Sequence, residues 1–125
     1  MHPIRTAIKS VLIVDPVNIN NRSLVSIFKD KGIELEISNQ HQNYQYMIES
    51  KQYDCVMLNS ELENNYCEII IDFIKTHYPG IIIVILLEDP TYEKIFNFVR
   101  KAADDFILTP YTWEDIEKML RFYYY

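Results

Sequence analysis

A chain of 125 residues, 49% hydrophobic and 24% charged, fits one ordinary globular domain that buries its own core without disulfides or metals. Its 12 Lys and Arg against 18 Asp and Glu leave a net charge of −6, which argues against a nucleic-acid surface built on clustered cations. The longest apolar run, Ile81 to Leu87, is far shorter than the roughly 20 residues of a membrane span, and Met1 to Ser10 lacks the apolar stretch of a signal peptide.

In chain order, residues 1–9 read as an N-terminal extension. Val11-Leu12-Ile13-Val14-Asp15 reads as a buried strand, apolar in all but its last residue and rich in branched side chains. Asn18 to Lys31 is predicted as a helix with Leu24, Ile27 and Phe28 on one face, stopped by Gly32. Glu34 to Ser38 alternates as a second strand. Gln42 to Lys51 is a weaker helix carrying Tyr44, Met47 and Ile48. Asp54 to Asn59 is the third strand. Cys67 to Tyr78 is a helix with Ile70, Phe73, Ile74 and His77 on one stripe, ended by Pro79-Gly80. Ile81 to Leu87 is the fourth and most hydrophobic strand. Thr91 to Ala102 is a helix expected to turn Ile95, Phe98 and Val99 inward. Phe106-Ile107-Leu108 is a short fifth strand, and Thr112 with Asp115 forms a capping-box-like start to a last helix. In that helix Trp113, Ile116 and Leu120 fill one face, and Met119 and Phe122 lie off it. The tail Phe122 to Tyr125 either continues the helix or marks where a longer chain was cut.

Five apolar strands alternating with five helices predict a single α/β domain over residues 1–125, a parallel sheet covered on both faces. Ligands of such sheets gather at the carboxyl ends of the strands, here Asp15-Pro16, Asn59-Ser60, Leu87-Glu88 and Thr109-Pro110. Cys55 and Cys67 make at most one bridge and no metal site. Cys55, inside an apolar run, reads as a buried free thiol suited to a reducing cytoplasm. His2, His41 and His77 are too scattered for a metal site or a triad and are expected in structural or solvated roles.

The stretches Val11 to Asp15, Tyr53 to Asn59 and Ala102 to Pro110, in this order and spacing, resemble the receiver domains of two-component response regulators over about Lys9 to Tyr123. The resemblance implies a flavodoxin-like, CheY-like three-layer sandwich with strand order 2-1-3-4-5. It also implies an acidic pair after strand 1, a phosphoacceptor Asp ending strand 3, a hydroxyl ending strand 4 and a Lys before Pro after strand 5. Here those positions hold Asp15 with Pro16, Asn59, Leu87 and Thr109. Only Asp15 matches the pattern.

An amide is a poor nucleophile, magnesium usually takes one or two carboxylates among its oxygen ligands, and losing one electrostatic partner of a transferred group costs about 3 kcal/mol. The departures therefore imply no enzymatic activity, no cofactor, and weak or absent magnesium binding. Asp15 alone is expected to cap or hydrogen-bond locally. The glycine the family places after strand 3 falls near Cys67, and the one before strand 5 falls at Ala102, so a changed local backbone is expected there. The loop from Ser60 to Tyr66 is expected to depart most from the family.

Phe106 occupies the family's switch position. Without a strand 4 hydroxyl it is either packed permanently inward or part of a fixed binding surface. The face of the fourth helix, fifth strand and fifth helix is the family's usual partner and dimer surface, and here it would present Tyr92, Phe96, Arg100, Tyr111, Met119 and Phe122. Aromatic, Met and Arg side chains are enriched in interface cores.

The expected function is a phosphorylation-independent protein-interaction module, a stand-alone adaptor or the N-terminal domain of a bacterial transcription regulator, with a protein partner or a second copy. Two alternatives stay open: an atypical receiver that accepts a phosphoryl group elsewhere, for example on Ser60 or Asp54, and a small-ligand sensor in the vacated pocket.

Overall fold

The computed structural model describes residues 8–16, 22–88 and 90–121, and the side chains of Arg22 and Ser23 lie outside the description. Five parallel strands, β1 (Ser10–Val14), β2 (Glu34–Ser38), β3 (Cys55–Asn59), β4 (Ile82–Leu87) and β5 (Asp105–Leu108), form one sheet in the order β2-β1-β3-β4-β5. Five α-helices connect them: α1 (Arg22–Asp30), α2 (Tyr44–Ser50), α3 (Tyr66–His77), α4 (Tyr92–Arg100) and α5 (Trp113–Arg121). The predicted fold and strand order are those observed. The start of the first helix, Asn18 to Asn21, and the tail Phe122 to Tyr125 lie outside the described residues.

Register follows from burial on both faces. Val11 pairs with Leu35 on one side and Cys55 on the other, Leu58 with Ile85, and Leu87 with Leu108. Because successive side chains point to opposite faces, Leu12, Val14, Val56, Leu58, Ile83, Ile85 and Leu87 meet Ile48 of α2, Ile70, Ile71 and Ile74 of α3 and Phe98 of α4. The intervening residues, among them Val11, Ile13, Met57, Val84 and Leu86, meet Leu24 and Phe28 of α1 and Ile116, Met119 and Leu120 of α5. Trp113 closes this second layer with its ring edge-on to Phe28, centroids 5.1 Å apart.

Two side chains depart from their expected faces. Val99, expected inward, is 56% exposed. Met119, expected on the partner face, is 5% exposed and belongs to the core under α5. In both helices apolar residues cover two adjacent stripes, and only packing decides which one meets the sheet. His41, expected in a structural or solvated role, takes the structural one and is buried: its ring lies edge-on to Tyr66, with Nε2 3.3 Å from Glu63 Oε1, within ion-pair distance but outside hydrogen-bond geometry.

The caps and turns show how local chemistry sets boundaries. The Thr112 backbone N–H donates to Asp115 Oδ2 at 2.9 Å, and Asp115 N–H donates back to Thr112 Oγ1 at 3.4 Å, the reciprocal box expected from the sequence. Thr91 Oγ1 accepts the Lys94 N–H at the start of α4. The Thr109–Pro110 bond is cis. After β3 the left-handed backbone falls on Asn64 (φ 54°) and Asn65 (φ 59°) rather than near Cys67, which is buried inside α3. Asparagine tolerates this region best among non-glycine residues. At Ala102 the backbone takes the left-handed conformation, φ 64°, with an alanine.

Two predictions follow from these placements. Ala102 is exposed, so Ala102→Gly loses no packing and relieves left-handed strain; it should raise unfolding free energy by about 0.5–1 kcal/mol, read from urea denaturation. Cys55 and Cys67 are free and buried, and burial pushes both thiols up from their ordinary range. In the native protein neither should react with a thiol reagent until the chain unfolds; rapid labelling of the folded protein would contradict this packing.

Candidate functional site

Parallel strands bring their carboxyl ends to one edge of the sheet, and the chain places a polar residue at each of them, with Ser38 ending β2. Asp15 follows β1, Asn59 ends β3, Glu88 follows β4 and Thr109 follows β5. Backbone bonds hold these ends in line: Asp15 N–H to Ser38 O at 3.0 Å, Ser60 N–H to Leu86 O at 2.9 Å and Thr109 N–H to Leu87 O at 3.0 Å. Asp15 and Asn59 are fully buried.

The amide of Asn59 is the hub. Its Nδ2 donates to Asp15 Oδ1 at 3.0 Å and to Glu88 Oε1 at 2.8 Å. Its Oδ1 accepts the Glu61 N–H at 2.7 Å. These three partners fix the amide orientation, because the flipped form would set an oxygen against two carboxylates and an NH2 against an N–H. Glu88 Oε2 in turn accepts from Thr109 Oγ1 at 2.9 Å, and the Glu88 N–H donates to Ser60 Oγ at 3.2 Å. Tyr111 donates to Asp15 Oδ2 at 3.5 Å; burial, followed by the neighbouring Asp15 charge, pushes its hydroxyl up, so it stays a donor.

The remaining expected positions are less involved. Pro16 is exposed and offers no oxygen ligand from its side chain. Leu87 is 2% exposed and lies in the core beside α4, with Phe106 half-buried against the same cluster. Asp15 reaches partners 44 and 96 residues away. Sequence reasoning named Glu88 only as part of a strand end, and its one signal is its place directly after the most hydrophobic strand.

The donor set does not fit magnesium, the ion that receiver domains imply. Magnesium needs converging oxygen lone pairs in octahedral geometry. Here the two carboxylates converge on N–H donors, and among the described residues no group of three His, Cys, Asp or Glu side chains is placed to hold a metal. The Glu88 carboxylate stands directly against the Asn59 amide.

On the α4 and β5 side, Tyr92 is 86% exposed, Phe96 52% and Leu108 57%, and Arg100 is exposed. Val99 and Leu108 join this surface although the sequence did not mark them for it. Tyr111 is half-buried at the polar cluster, Met119 is core, and Phe122 lies outside the described residues.

No protein-family model matches the chain, and no curated protein is significantly similar to it in sequence. Solved structures are similar in fold. An orphan response regulator of H. pylori superposes with a TM-score of 0.81 at 18% identity, covering 98% of this chain and 100% of that one. The chemotaxis protein CheY4 of Vibrio cholerae gives 0.81 at 17% identity, covering 94% and 99%. A response regulator receiver protein from Pseudomonas putida gives 0.78 at 16% identity, covering 93% and 98%. The structural neighbours are response-regulator receiver domains, and the chain has their CheY-like, flavodoxin-type fold over nearly its whole length.

Proposed function

We propose that this domain is a phosphorylation-independent signalling module that works by binding another protein rather than by catalysis. The carrying observation is the Asn59 amide shared between the carboxylates of Asp15 and Glu88. It occupies the acceptor position with a group that is neither nucleophilic nor anionic, and it satisfies the two acids that a cation would otherwise join. Thr109, at the lysine position, is engaged with Glu88 and brings no positive charge.

The rival acceptors fare worse on geometry. Ser60 Oγ accepts the Glu88 N–H and lies beside that carboxylate. Asp54 precedes β3 at the opposite end of the sheet, where its Oδ2 accepts the N–H groups of Lys9 at 2.7 Å and Ser10 at 3.1 Å. Mutual satisfaction of the polar cluster likewise argues against a small ligand in its place. The partner surface of this reading is the exposed α4–β5 face around Tyr92, Phe96, Arg100 and Leu108. The acidic net charge speaks against direct nucleic-acid binding. No described helix is long and apolar enough to cross a membrane. A cytoplasmic adaptor, or the N-terminal domain of a bacterial transcription regulator, is the setting that suits these features.

Asn59→Asp is the sharpest test. The new carboxylate loses both donated bonds and sits between two others, so the variant should lose about 2–4 kcal/mol of stability at neutral pH. Acidification should recover part of that loss, since mutual repulsion raises the folded-state carboxyl pKa and protonation then favours the folded form. Incubated with acetyl phosphate and magnesium, neither the wild type nor Asn59→Asp should gain phosphoryl mass by intact mass spectrometry. Rapid labelling of the wild type would overturn the proposal; labelling of the variant alone would show that Asn59 is the only lesion.

A further inference from the structure

The outer strands of the sheet are β2 and β5. In a parallel ladder every second residue turns its N–H and C=O toward the neighbouring strand. The Glu34 N–H goes to Lys9 O, and Ser38 O accepts the Asp15 N–H, so Glu34, Glu36 and Ser38 face β1. Leu35 and Ile37 therefore turn their N–H and C=O groups outward, and among the described residues no strand lies along that side. The β5 edge is blunted by comparison, because Asp105 Oδ1 holds the Phe106 N–H at 2.8 Å.

The two faces that flank the β2 edge differ in chemistry. On the α1 side Leu35 and Ile37 pack half-buried. A mostly apolar pocket of about 310 Å³ opens beside them, lined by Val25, Lys29, Gly32, Ile33, Glu34 and Leu35. On the α2 side stand the exposed residues Glu34 and Glu36. Lys51 pairs with Glu34, whereas Glu36 takes the neutral Tyr53 hydroxyl, and no cation balances it among the described residues.

We propose that the outer edge of β2 takes up an extended segment of another protein as an added strand, one whose basic side chains alternate with aliphatic ones. Main-chain bonds to Leu35 and Ile37 attach the segment, and the two faces select it. Successive side chains of an added strand point to opposite faces. Its aliphatic side chains then reach the pocket beside Val25 and Leu35, and its Lys or Arg side chains stand across from Glu34 and Glu36, about 5 Å away. A second copy of the chain is disfavoured, because β2 laid antiparallel on itself about Leu35 or Glu36 sets glutamate against glutamate on one face. The carboxylates thus reject a like strand and admit a basic one. This edge lies across the sheet from β5 and is independent of the α4–β5 surface. A strand of five residues offers few ladder bonds, so binding is weak, with Kd about 0.1–1 mM.

An amide NMR titration of the purified chain with a blocked peptide of three lysine–valine repeats tests this, read together with amide hydrogen exchange. Saturable shifts should centre on β2, and the Leu35 and Ile37 amides should exchange about fivefold more slowly in the complex. A peptide of the same composition, with its lysines and valines in separate blocks, should bind about fivefold more weakly. Glu36→Gln, which keeps an acceptor for the Tyr53 hydroxyl, should weaken the alternating peptide about threefold. Glu34→Lys with Glu36→Lys should weaken it about tenfold and admit instead a peptide alternating glutamate with valine. Both positions are exposed, and thermal melts check that each variant folds. No saturable shift at about 5 mM peptide, or equal binding of the block peptide, overturns strand addition. Shifts and protection at β5 instead overturn the choice of edge. The phosphodonor result stands apart from all of these, because it reads Asn59 on β3.

Discussion

The Asn59 amide gives one proton to Asp15 and one to Glu88, and through it the carboxyl ends of β1, β3 and β4 are tied together. Two carboxylates at one end of a parallel sheet would repel each other and demand a cation. An NH2 between them meets that demand in part with a neutral group. Glu88 carries the tie onward to Thr109 after β5, and Glu61 anchors the amide oxygen from the following loop. Removing one member of such a buried set leaves the others unpaired, a loss of several kcal/mol in comparable cases.

The scaffold under this pocket does not depend on the pocket's chemistry. Both faces of β1, β3 and β4 are sealed by helices, and their branched side chains carry the burial. Polar substitutions at strand ends leave that core intact, so the fold persists while the ends change identity. On α4 and β5 apolar side chains stand in solvent, at the surface proposed above for a partner. Lys94 on α4 and Glu61 beside Asn59 form an ion pair, a direct physical link between that surface and the polar cluster.

Much of this was legible in the sequence for definite reasons. Val11 to Val14, Cys55 to Leu58 and Ile82 to Leu87 are apolar at every position, which only a strand buried on both faces requires. Their alternation with helical stretches implied the crossovers, and the strand order came from the resemblance to receiver domains. Asp15, Asn59 and Thr109 were found because strand ends collect polar residues in this fold. Glu88 was named only as part of a strand end, because only the folded chain brings Asn59 of β3 and Thr109 after β5 against its carboxylate. Val99 and Met119 were misplaced for a related reason: α4 and α5 each carry more apolar residues than one stripe needs. His41 stands among polar neighbours in sequence, yet the packing of Tyr66 against it closes the site. Ala102 shows the limit of residue preference, since the tertiary turn imposes φ 64° on a residue that disfavours it.

An amide NMR titration with magnesium and then beryllofluoride, a phosphoryl mimic, addresses the polar cluster most directly. With the cluster self-satisfied as described, about 10 mM magnesium followed by beryllofluoride should leave the amides of Asp15, Asn59, Glu88 and Thr109 in place. Saturable shifts confined to those residues would mean that the strand ends still assemble an ion site, and would contradict the account.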